Sequence, residues 1–354
     1  MKKKILISTG GSGGHVIPAT IFNDHLSKEY EVLICTDSRG YKFLKTNNYE
    51  LKIINTPKLN NVFLFPINLF LILYLAIKSY FFLRSEKIDK LISTGGYMSL
   101  PIILAAKLLK LDIYLFEPNL VLGRANKFFL KSCKKIFCYS EELINFPKKF
   151  KDKITIINPL VRKEFYNSNI SLNKKEVLEI LVVGGSQGAS IFDKDLKNKI
   201  LNISKKHPIK VIHQTSEKNI TELKSFYSSN NIKNLIFSFD KDFVNIIKEA
   251  DLCITRAGAS TLAELSILNI PFIAIPLPSS KDNHQFENAS FYENKDCCWI
   301  LDQKIFDNKI EEILKNILEN KVDYSQKKDN LKKLNYQNTW INVNQKILRV
   351  INEN

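Results

Sequence analysis

Two glycine-rich turns hold the residues of this chain best suited to chemistry: Gly10-Gly11-Ser12-Gly13-Gly14-His15 near its start, and Gly184-Gly185-Ser186-Gln187-Gly188-Ala189 past its middle. Each follows a short apolar, β-branched run, Ile5 to Thr9 and Ile180 to Val183, and each opens a helical pattern. Glycines let a backbone approach a ligand closely, and the free N–H groups and positive dipole at a helix start favour an anion, so both turns read as phosphate sites. In the first, a neutral His15 imidazole is a candidate general base toward a sugar hydroxyl; the alternative is a residue that only orients the loop. In the second, Ser186 and Gln187 add side-chain donors to those of the backbone. The first turn is not a dinucleotide fingerprint, because Val16 stands where a third glycine or alanine is needed. Asp37, after the second apolar run, is what keeps a dehydrogenase reading open.

Two later segments place polar groups at the ends of apolar runs. Thr255-Arg256-Ala257-Gly258-Ala259-Ser260-Thr261-Leu262-Ala263-Glu264 reads as a strand end, a glycine and a helix start, with Glu264 in the first turns of the helix. A carboxylate there can accept hydrogen bonds from the vicinal hydroxyls of a ribose, or merely complement the helix dipole. Pro276-Leu277-Pro278 leads to Asp282-Asn283-His284-Gln285 and Asn288-Ala289, a cluster suited to reading sugar hydroxyls. The pairs Asp193/Asp195 and Asp240/Asp242 are too short a signal to argue for a diphosphate-bridging metal, and no Ser/His/Asp nucleophile motif, Walker A loop or zinc-ligand spacing occurs. Six cysteines (Cys35, Cys133, Cys138, Cys253, Cys297, Cys298) form no CxxC pair and fit a reduced, cytoplasmic setting as small apolar residues.

The scaffold for these residues is an alternation of strands and helices. Apolar runs near 4–9, 31–36, 51–55, 89–93, 112–116, 135–139 and 154–157 predict a parallel, doubly wound sheet; a second series follows near 178–183, 209–213, 233–237, 251–255, 270–275 and 297–301. The polar stretch from Arg162 to Lys175 reads as a linker. The expected organisation is a first domain over 1–161, a linker over 162–175 and a second domain over 176–337. A closing helix over 338–354, with Trp340, Ile341, Val343, Ile347, Leu348 and Ile351 at helical spacing, is expected to return to the first domain. At 354 residues and 45% hydrophobic content the chain can fill two cores. A net charge of +16 admits nucleic acid, anionic membranes or phosphate-bearing substrates, but without a dense basic block or an aromatic-basic signature nucleic acid is not expected.

Met1-Lys2-Lys3-Lys4 imitates the start of a signal peptide, yet the apolar run behind it stops after about five residues, short of the roughly 7–15 required. The segment from Val62 to Leu83 approaches the roughly 20 residues of a membrane span but is interrupted by Pro66, Asn68 and Lys78. Two readings stand: a buried crossover helix, or a helix exposing Phe65, Leu69, Phe70, Leu73, Ile77 and Phe81 to a membrane surface, with Lys58, Lys78, Arg84 and Lys87 as a basic rim for anionic lipid.

Taken together these motifs resemble the MurG family of peptidoglycan glycosyltransferases over nearly the whole chain. The likeness is carried by Gly10 to His15 with Pro18, Thr94-Gly95-Gly96-Tyr97-Met98-Ser99 with Pro101, and Leu122-Gly123-Arg124-Ala125-Asn126. It continues through Asn158-Pro159-Leu160-Val161-Arg162, one residue longer than the family's Asn-Pro-Val-Arg, and Gly184 to Ala189, matched in full. Arg256, Ala259, Glu264 and the run from Asp282 to Gln285 with Asn288 complete it.

The resemblance implies a GT-B fold, two Rossmann-like doubly wound domains facing a cleft. It implies an inverting enzyme that moves N-acetylglucosamine from UDP-GlcNAc to the 4-hydroxyl of the muramoyl sugar of lipid I, giving lipid II and UDP, with no cofactor or metal. Donor contacts are implied for Ser12, Gly13, Gly14, Asn126, Arg162, Gly185, Ser186, Gln187, Gly188, Arg256, Gly258, Ala259, Glu264, His284, Gln285 and Asn288. Among these, Ser186 and Gln187 would meet the phosphates, Glu264 the ribose, and His284 and Gln285 the sugar. Gly13, Gly14, Gly95, Gly96, Tyr97, Gly123 and Asn126 would face the acceptor diphosphate, with His15 as base and Glu117 as its partner or substitute. The resemblance also implies a peripheral place on the cytoplasmic face of the bacterial inner membrane, with anionic lipid and cell-wall synthesis proteins as partners. One departure is clear: the family's His-Glu-Gln-Asn is Phe116-Glu117-Pro118-Asn119. Two rivals remain: a UDP-GlcNAc 2-epimerase of the same architecture, and a non-catalytic nucleotide-sugar-binding protein whose acceptor site has decayed at that motif.

Overall fold

The computed structural model describes residues 2–45, 48–57, 64–167, 177–185, 188–238 and 243–353. Its contacts divide the chain into two units, Met1–Leu160 with Trp340–Asn354, and Val161–Thr339. The first holds β1 (Lys4–Ser8), β2 (Glu31–Thr36), β3 (Leu51–Ile53), β4 (Lys90–Ser93), β5 (Asp112–Glu117), β6 (Lys135–Cys138) and β7 (Ile154–Ile156), in the order β3-β2-β1-β4-β5-β6-β7. The second holds β8 (Leu178–Val183), β9 (Ile209–Gln214), β10 (Lys233–Phe237), β11 (Leu252–Thr255), β12 (Phe272–Ala274) and β13 (Cys298–Ile300), in the order β10-β9-β8-β11-β12-β13. Every pairing between these strands is parallel. Central strands such as Ile5-Leu6-Ile7 and Ile180-Leu181-Val182 are apolar on both sides and fully buried, as a sheet covered on both faces requires. The order reverses between β1 and β4 and again between β8 and β11, and ligands of open α/β sheets sit at the carboxyl ends of the strands at such points.

One face of the first sheet is covered by helices Gly13–Leu26 and Trp340–Asn352, which bring Val16, Phe22, Val343 and Ile347 into one core with Ile5, Ile7 and Phe116. The ring of Trp340 stacks on that of His25 with centroids 3.8 Å apart, and Asn344 Nδ2 donates to the His25 carbonyl over 2.9 Å. Burial holds this imidazole down at about 4, against its usual 6.5. The unfolded chain therefore takes up a proton before the fold does, so the stability contributed by neutral His25 is complete above pH 6.5 and is lost as pH falls toward 4. Roughly 2 kcal/mol is expected to be gone by about pH 4.5, read as a falling melting temperature, and His25→Phe, which keeps the stacking, is expected to remove that pH dependence.

The opposite face is covered by helices Phe65–Ser85, Leu100–Leu108 and Arg124–Phe129. Phe65–Ser85 combines the two readings that its sequence leaves open. It is the crossover between β3 and β4 and packs on Leu100–Leu108, but its buried line is narrow: Ile72, Ala76, Ser79 and Leu83. The remaining apolar side chains point outward, among them Phe65, Leu69 and Leu73, with Phe70 72%, Ile77 59% and Phe81 63% exposed. By length and composition this helix could cross a membrane, yet it connects two strands of one sheet, β3 and β4, passing over β2 and β1, which makes it part of the domain. Residues 62 and 63 and the rim residue Lys58 lie outside the described residues.

The polar stretch expected to be a linker begins instead as structure. Lys163–Tyr166 is a helical turn whose Phe165 is buried in the core of the second unit, because Phe165 and Tyr166 supply the apolar surface that the surrounding asparagines and serines lack. Residues 168–176 lie outside the described residues. All six cysteines are buried and unpaired, and burial pushes the Cys35 thiol up to about 12.

Candidate active site

In the first unit three turns converge around His15. Thr94 Oγ1 donates to Thr9 Oγ1 over 2.8 Å, and Thr9 Oγ1 to the His15 carbonyl over 2.8 Å, tying the end of β1 to the end of β4. His15 Nδ1 lies 2.8 Å from the Thr94 carbonyl. A carbonyl only accepts, so Nδ1 carries a proton, and in the neutral imidazole this tautomer puts the lone pair on Nε2. The ring lies against Gly95 and Gly96, which hold φ of 92° and 85°. A Cβ on Gly95 would sit 3.4 Å from His15 Cε1 and 3.7 Å from Asn126 Nδ2, so this glycine separates the imidazole from the asparagine by one backbone thickness. Helix Gly13–Leu26 starts at Ser12, whose side chain caps nothing, and no acidic residue occupies its first turn. Gly14 is exposed there.

Behind this surface Glu117, at the end of β5, is buried with both oxygens occupied. Oε1 accepts from the Asn119 backbone N–H (3.2 Å) and Asn119 Nδ2 (3.0 Å); Oε2 accepts from the Gly123 N–H (2.7 Å) and Asn126 Nδ2 (2.9 Å). A Cβ on Gly123 would fall 2.9 Å from Oε2, so the third turn needs glycine to approach the carboxylate. Glu117 therefore fixes Asn119, Gly123 and Asn126, and no oxygen of it is left to take a proton from a substrate; the expectation that it substitutes for His15 as base does not fit this geometry. The departures in its motif have a structural reading as well. Phe116 is a core residue, edge-on to Phe22 at 5.4 Å and to Tyr139 at 5.7 Å, whereas the two residues retained, Glu117 and Asn119, carry the polar network.

Asp37 caps the helix that follows β2 and cannot serve a ribose. Its Oδ1 accepts from the Gly11 (2.9 Å) and Gly40 (2.8 Å) N–H groups, and its Oδ2 from Arg39 Nε (3.0 Å) and Nη2 (2.7 Å). Burial alone would raise its titration, but these donors hold it below the usual carboxylate range. With four donors already in place, the dehydrogenase reading falls.

In the second unit the candidate residues gather at the carboxyl ends of β8, β11 and β12. Gly185 and Gly188 hold φ of 77° and 72°, and a Cβ on Gly184 would lie 2.6 Å from the Ala189 nitrogen, so the turn folds tightly onto the helix behind it. Ser186 and Gln187, expected at a phosphate, lie outside the described residues, as does Asp240/Asp242. The helix continues through a π-turn at Phe192–Leu196. Arg256 is buried above Phe192, 5.2 Å from the ring centroid, and its Nη1 donates to the carbonyls of Ile275 (3.0 Å) and Pro276 (3.4 Å). Burial lowers its titration.

Gly258 opens helix Ala259–Ile267 without a side-chain cap, and Glu264 lies on that helix, buried, with Oε1 accepting from Arg162 Nε (3.2 Å) and Nη2 (3.1 Å). Burial raises the Glu264 titration, partly offset by the guanidinium. No local pattern marks this Arg162–Glu264 pair, whose members stand 102 residues apart. Gln285 Oε1 accepts from the Leu277 N–H (2.9 Å), which fixes the orientation of the amide. Asn288 Nδ2 donates to the Ala257 carbonyl (3.2 Å), and His284 Nδ1 lies 2.8 Å from the Lys281 carbonyl. Asp193, in contrast, is engaged with His213 and Asn219, and no group of three or more His, Cys, Asp or Glu among the described residues is placed to hold a metal.

Two parallel sheets of this order, each with a glycine turn after its first strand, define the GT-B class of nucleotide-sugar enzymes. Residues 5–138 match the glycosyltransferase family 28 N-terminal domain and residues 179–339 the family 28 C-terminal domain. A Pelagibacter ubique (strain HTCC1062) protein named UDP-N-acetylglucosamine--N-acetylmuramyl-(pentapeptide) pyrophosphoryl-undecaprenol N-acetylglucosamine transferase is 51% identical, over 100% of both chains. The crystal structure of Acinetobacter baumannii MurG superposes with a TM-score of 0.76 at 23% identity, covering 99% of this chain and 100% of that one. A UDP-GlcNAc 2-epimerase from Neisseria meningitidis bound to UDP-GlcNAc reaches 0.67 at 14% identity, covering 99% and 100%, a likeness of fold alone. The chain belongs to the MurG branch of glycosyltransferase family 28.

Proposed function

We propose that this protein transfers N-acetylglucosamine from UDP-GlcNAc to the 4-hydroxyl of the muramoyl sugar of lipid I, forming lipid II and UDP with inversion. The observation that carries the reading is the orientation of His15: Nδ1–H is spent on the Thr94 carbonyl, leaving Nε2 as a proton acceptor on a glycine surface. In a single displacement the acceptor O4 attacks the anomeric carbon as His15 Nε2 takes its proton, and the bond from that carbon to the UDP oxygen breaks. The N–H groups of the turn after β8 meet the negative charge that develops on the departing diphosphate, with Ser186 and Gln187 adding donors. Glu264 receives the ribose hydroxyls, Arg162 fixing its carboxylate, while the NH2 of Gln285 and the Nε2 of His284 meet the transferred sugar. Arg256 braces the ends of β11 and β12. The acceptor diphosphate lies over Gly13, Gly14, Gly95, Gly96 and Tyr97, with Glu117 a positioning residue for Gly123 and Asn126. An acceptor whose 4-hydroxyl is replaced by hydrogen is expected to bind and receive no sugar; transfer to that analogue would refute the regiochemistry.

The outer face of Phe65–Ser85 is the surface by which the enzyme reaches a lipid-linked acceptor on the anionic cytoplasmic face of the membrane. What supports this is the run of exposed Phe65, Leu69, Phe70, Leu73, Ile77 and Phe81, too large an apolar surface to leave in water, together with Lys78 and Arg84. Fully burying a side chain of this size contributes about 1.5–3 kcal/mol. The pair Phe70→Glu and Ile77→Glu is expected to abolish sedimentation with anionic vesicles and leave both the melting temperature and activity on a water-soluble acceptor unchanged. Undiminished sedimentation would return this helix to a purely structural role.

A further inference from the structure

In the first unit Arg39 holds a position that the motifs of the family do not explain. Arg39 sits two residues beyond Asp37 with its side chain 46% exposed, locked by Nε and Nη2 onto the buried Asp37 carboxylate and by Nη2 onto the Tyr97 hydroxyl. Its guanidinium carbon lies 5.4 Å from the Tyr97 ring centroid, and a Cβ on Gly11 would come within 3.4 Å of Nη2. The guanidinium thus stands where the Gly10–Gly14 turn and the Gly95–Tyr97 turn meet. Asp37 is already satisfied by Gly11, Gly40 and Arg39 together, and among the described residues Nη1 of Arg39 has no partner. An arginine held at one edge by a buried carboxylate and open at the other is prepared for an anion, since a guanidinium fork matches phosphate oxygens and a fixed side chain loses little freedom on binding.

We propose that Arg39 binds the diphosphate of the acceptor, its open Nη1 edge donating to the non-bridging phosphate oxygens that the two glycine turns cradle, with Asp37 and Tyr97 as its positioning residues. This rests on the reading that those turns face the acceptor diphosphate. Nothing in the sequence pattern marks Arg39, because it follows β2 rather than a glycine turn and reaches the site only through the fold.

The test uses the full-length protein and two soluble acceptors, a short-chain lipid I analogue and the same muramoyl sugar as a neutral alkyl glycoside. Wild type is expected to favour the diphosphate acceptor in kcat/KM, and Arg39→Ala to lose about ten- to a hundredfold on that acceptor and little on the glycoside, with the KM for UDP-GlcNAc within about twofold of wild type. Arg39→Lys is expected to recover only part, because a point charge lacks the fork. Equal losses on both acceptors would overturn the role of Arg39 while leaving the diphosphate reading intact. A wild type with no preference between them would overturn the diphosphate reading itself. If the alanine protein does not fold, Arg39→Gln, which keeps donors for Asp37 and Tyr97, carries the same comparison.

Discussion

Replacing His15 with alanine is expected to lower turnover about a thousandfold, roughly 4 kcal/mol at the transition state, with the KM for UDP-GlcNAc changed by no more than about twofold. The size follows from what the residue is asked to do. An undissociated sugar hydroxyl is a poor nucleophile, and a positioned base typically contributes two to four orders of magnitude. The imidazole is fixed at Nδ1 by the Thr94 carbonyl and flanked by Gly95 and Gly96, so both its tautomer and its direction are set before substrate arrives. Glu117 offers no substitute, because its two oxygens already accept four hydrogen bonds. Single-turnover measurements with both substrates saturating read the step directly, and near-normal turnover of the alanine protein would remove His15 from the role of base.

Glu264→Ala is expected to cut kcat/KM for UDP-GlcNAc by two to three orders of magnitude, with the KM for the acceptor little changed. On the proposed reading the substitution removes a carboxylate that accepts two hydrogen bonds from the ribose hydroxyls and leaves Arg162 without its partner in a largely buried setting, losses on the order of 3–4 kcal/mol together. The pH dependence carries a sign. Burial raises the Glu264 titration more than Arg162 lowers it, so the carboxyl stays protonated to a higher pH than an ordinary glutamate. The diol is best received by the carboxylate, so the donor KM is expected to rise as pH is lowered through that raised titration, and Glu264→Gln is expected to show a high KM without this dependence. A donor KM in Glu264→Ala equal to wild type would mean that the ribose is held elsewhere.

Most of the fold was legible because its signal is local and strong. Runs such as Ile5-Leu6-Ile7 and Leu181-Val182-Val183 are apolar on both faces, which only a covered parallel strand needs, and each is followed by glycines that a phosphate-binding turn requires. The strand runs read from the sequence coincide with β1 to β13 to within a few residues. The helix Phe65–Ser85 was harder, since a 21-residue apolar segment looks alike buried or bare; what decides is a narrow line of small and branched residues, Ile72, Ala76, Ser79 and Leu83, packed on one neighbouring helix. Within the site, the glycine turns announced themselves, but the pairs that aim the side chains did not. Arg162 finds Glu264, Asn126 finds Glu117 and Arg39 finds Tyr97 across 102, 9 and 58 residues, and no local pattern encodes such distances. Asp37 misled for a related reason: an acid after the second strand looks the same whether it holds a ribose or, as here, caps a helix and anchors an arginine.

The most direct test of the proposed transfer is to incubate the purified protein, in detergent and chelator, with UDP-GlcNAc labelled in its sugar and a lipid I analogue, and to separate the products. Label is expected in a disaccharide lipid with a β-linkage to O4, with one UDP released per sugar transferred. Label recovered as UDP-ManNAc, or an unchanged donor despite measurable binding, would contradict it.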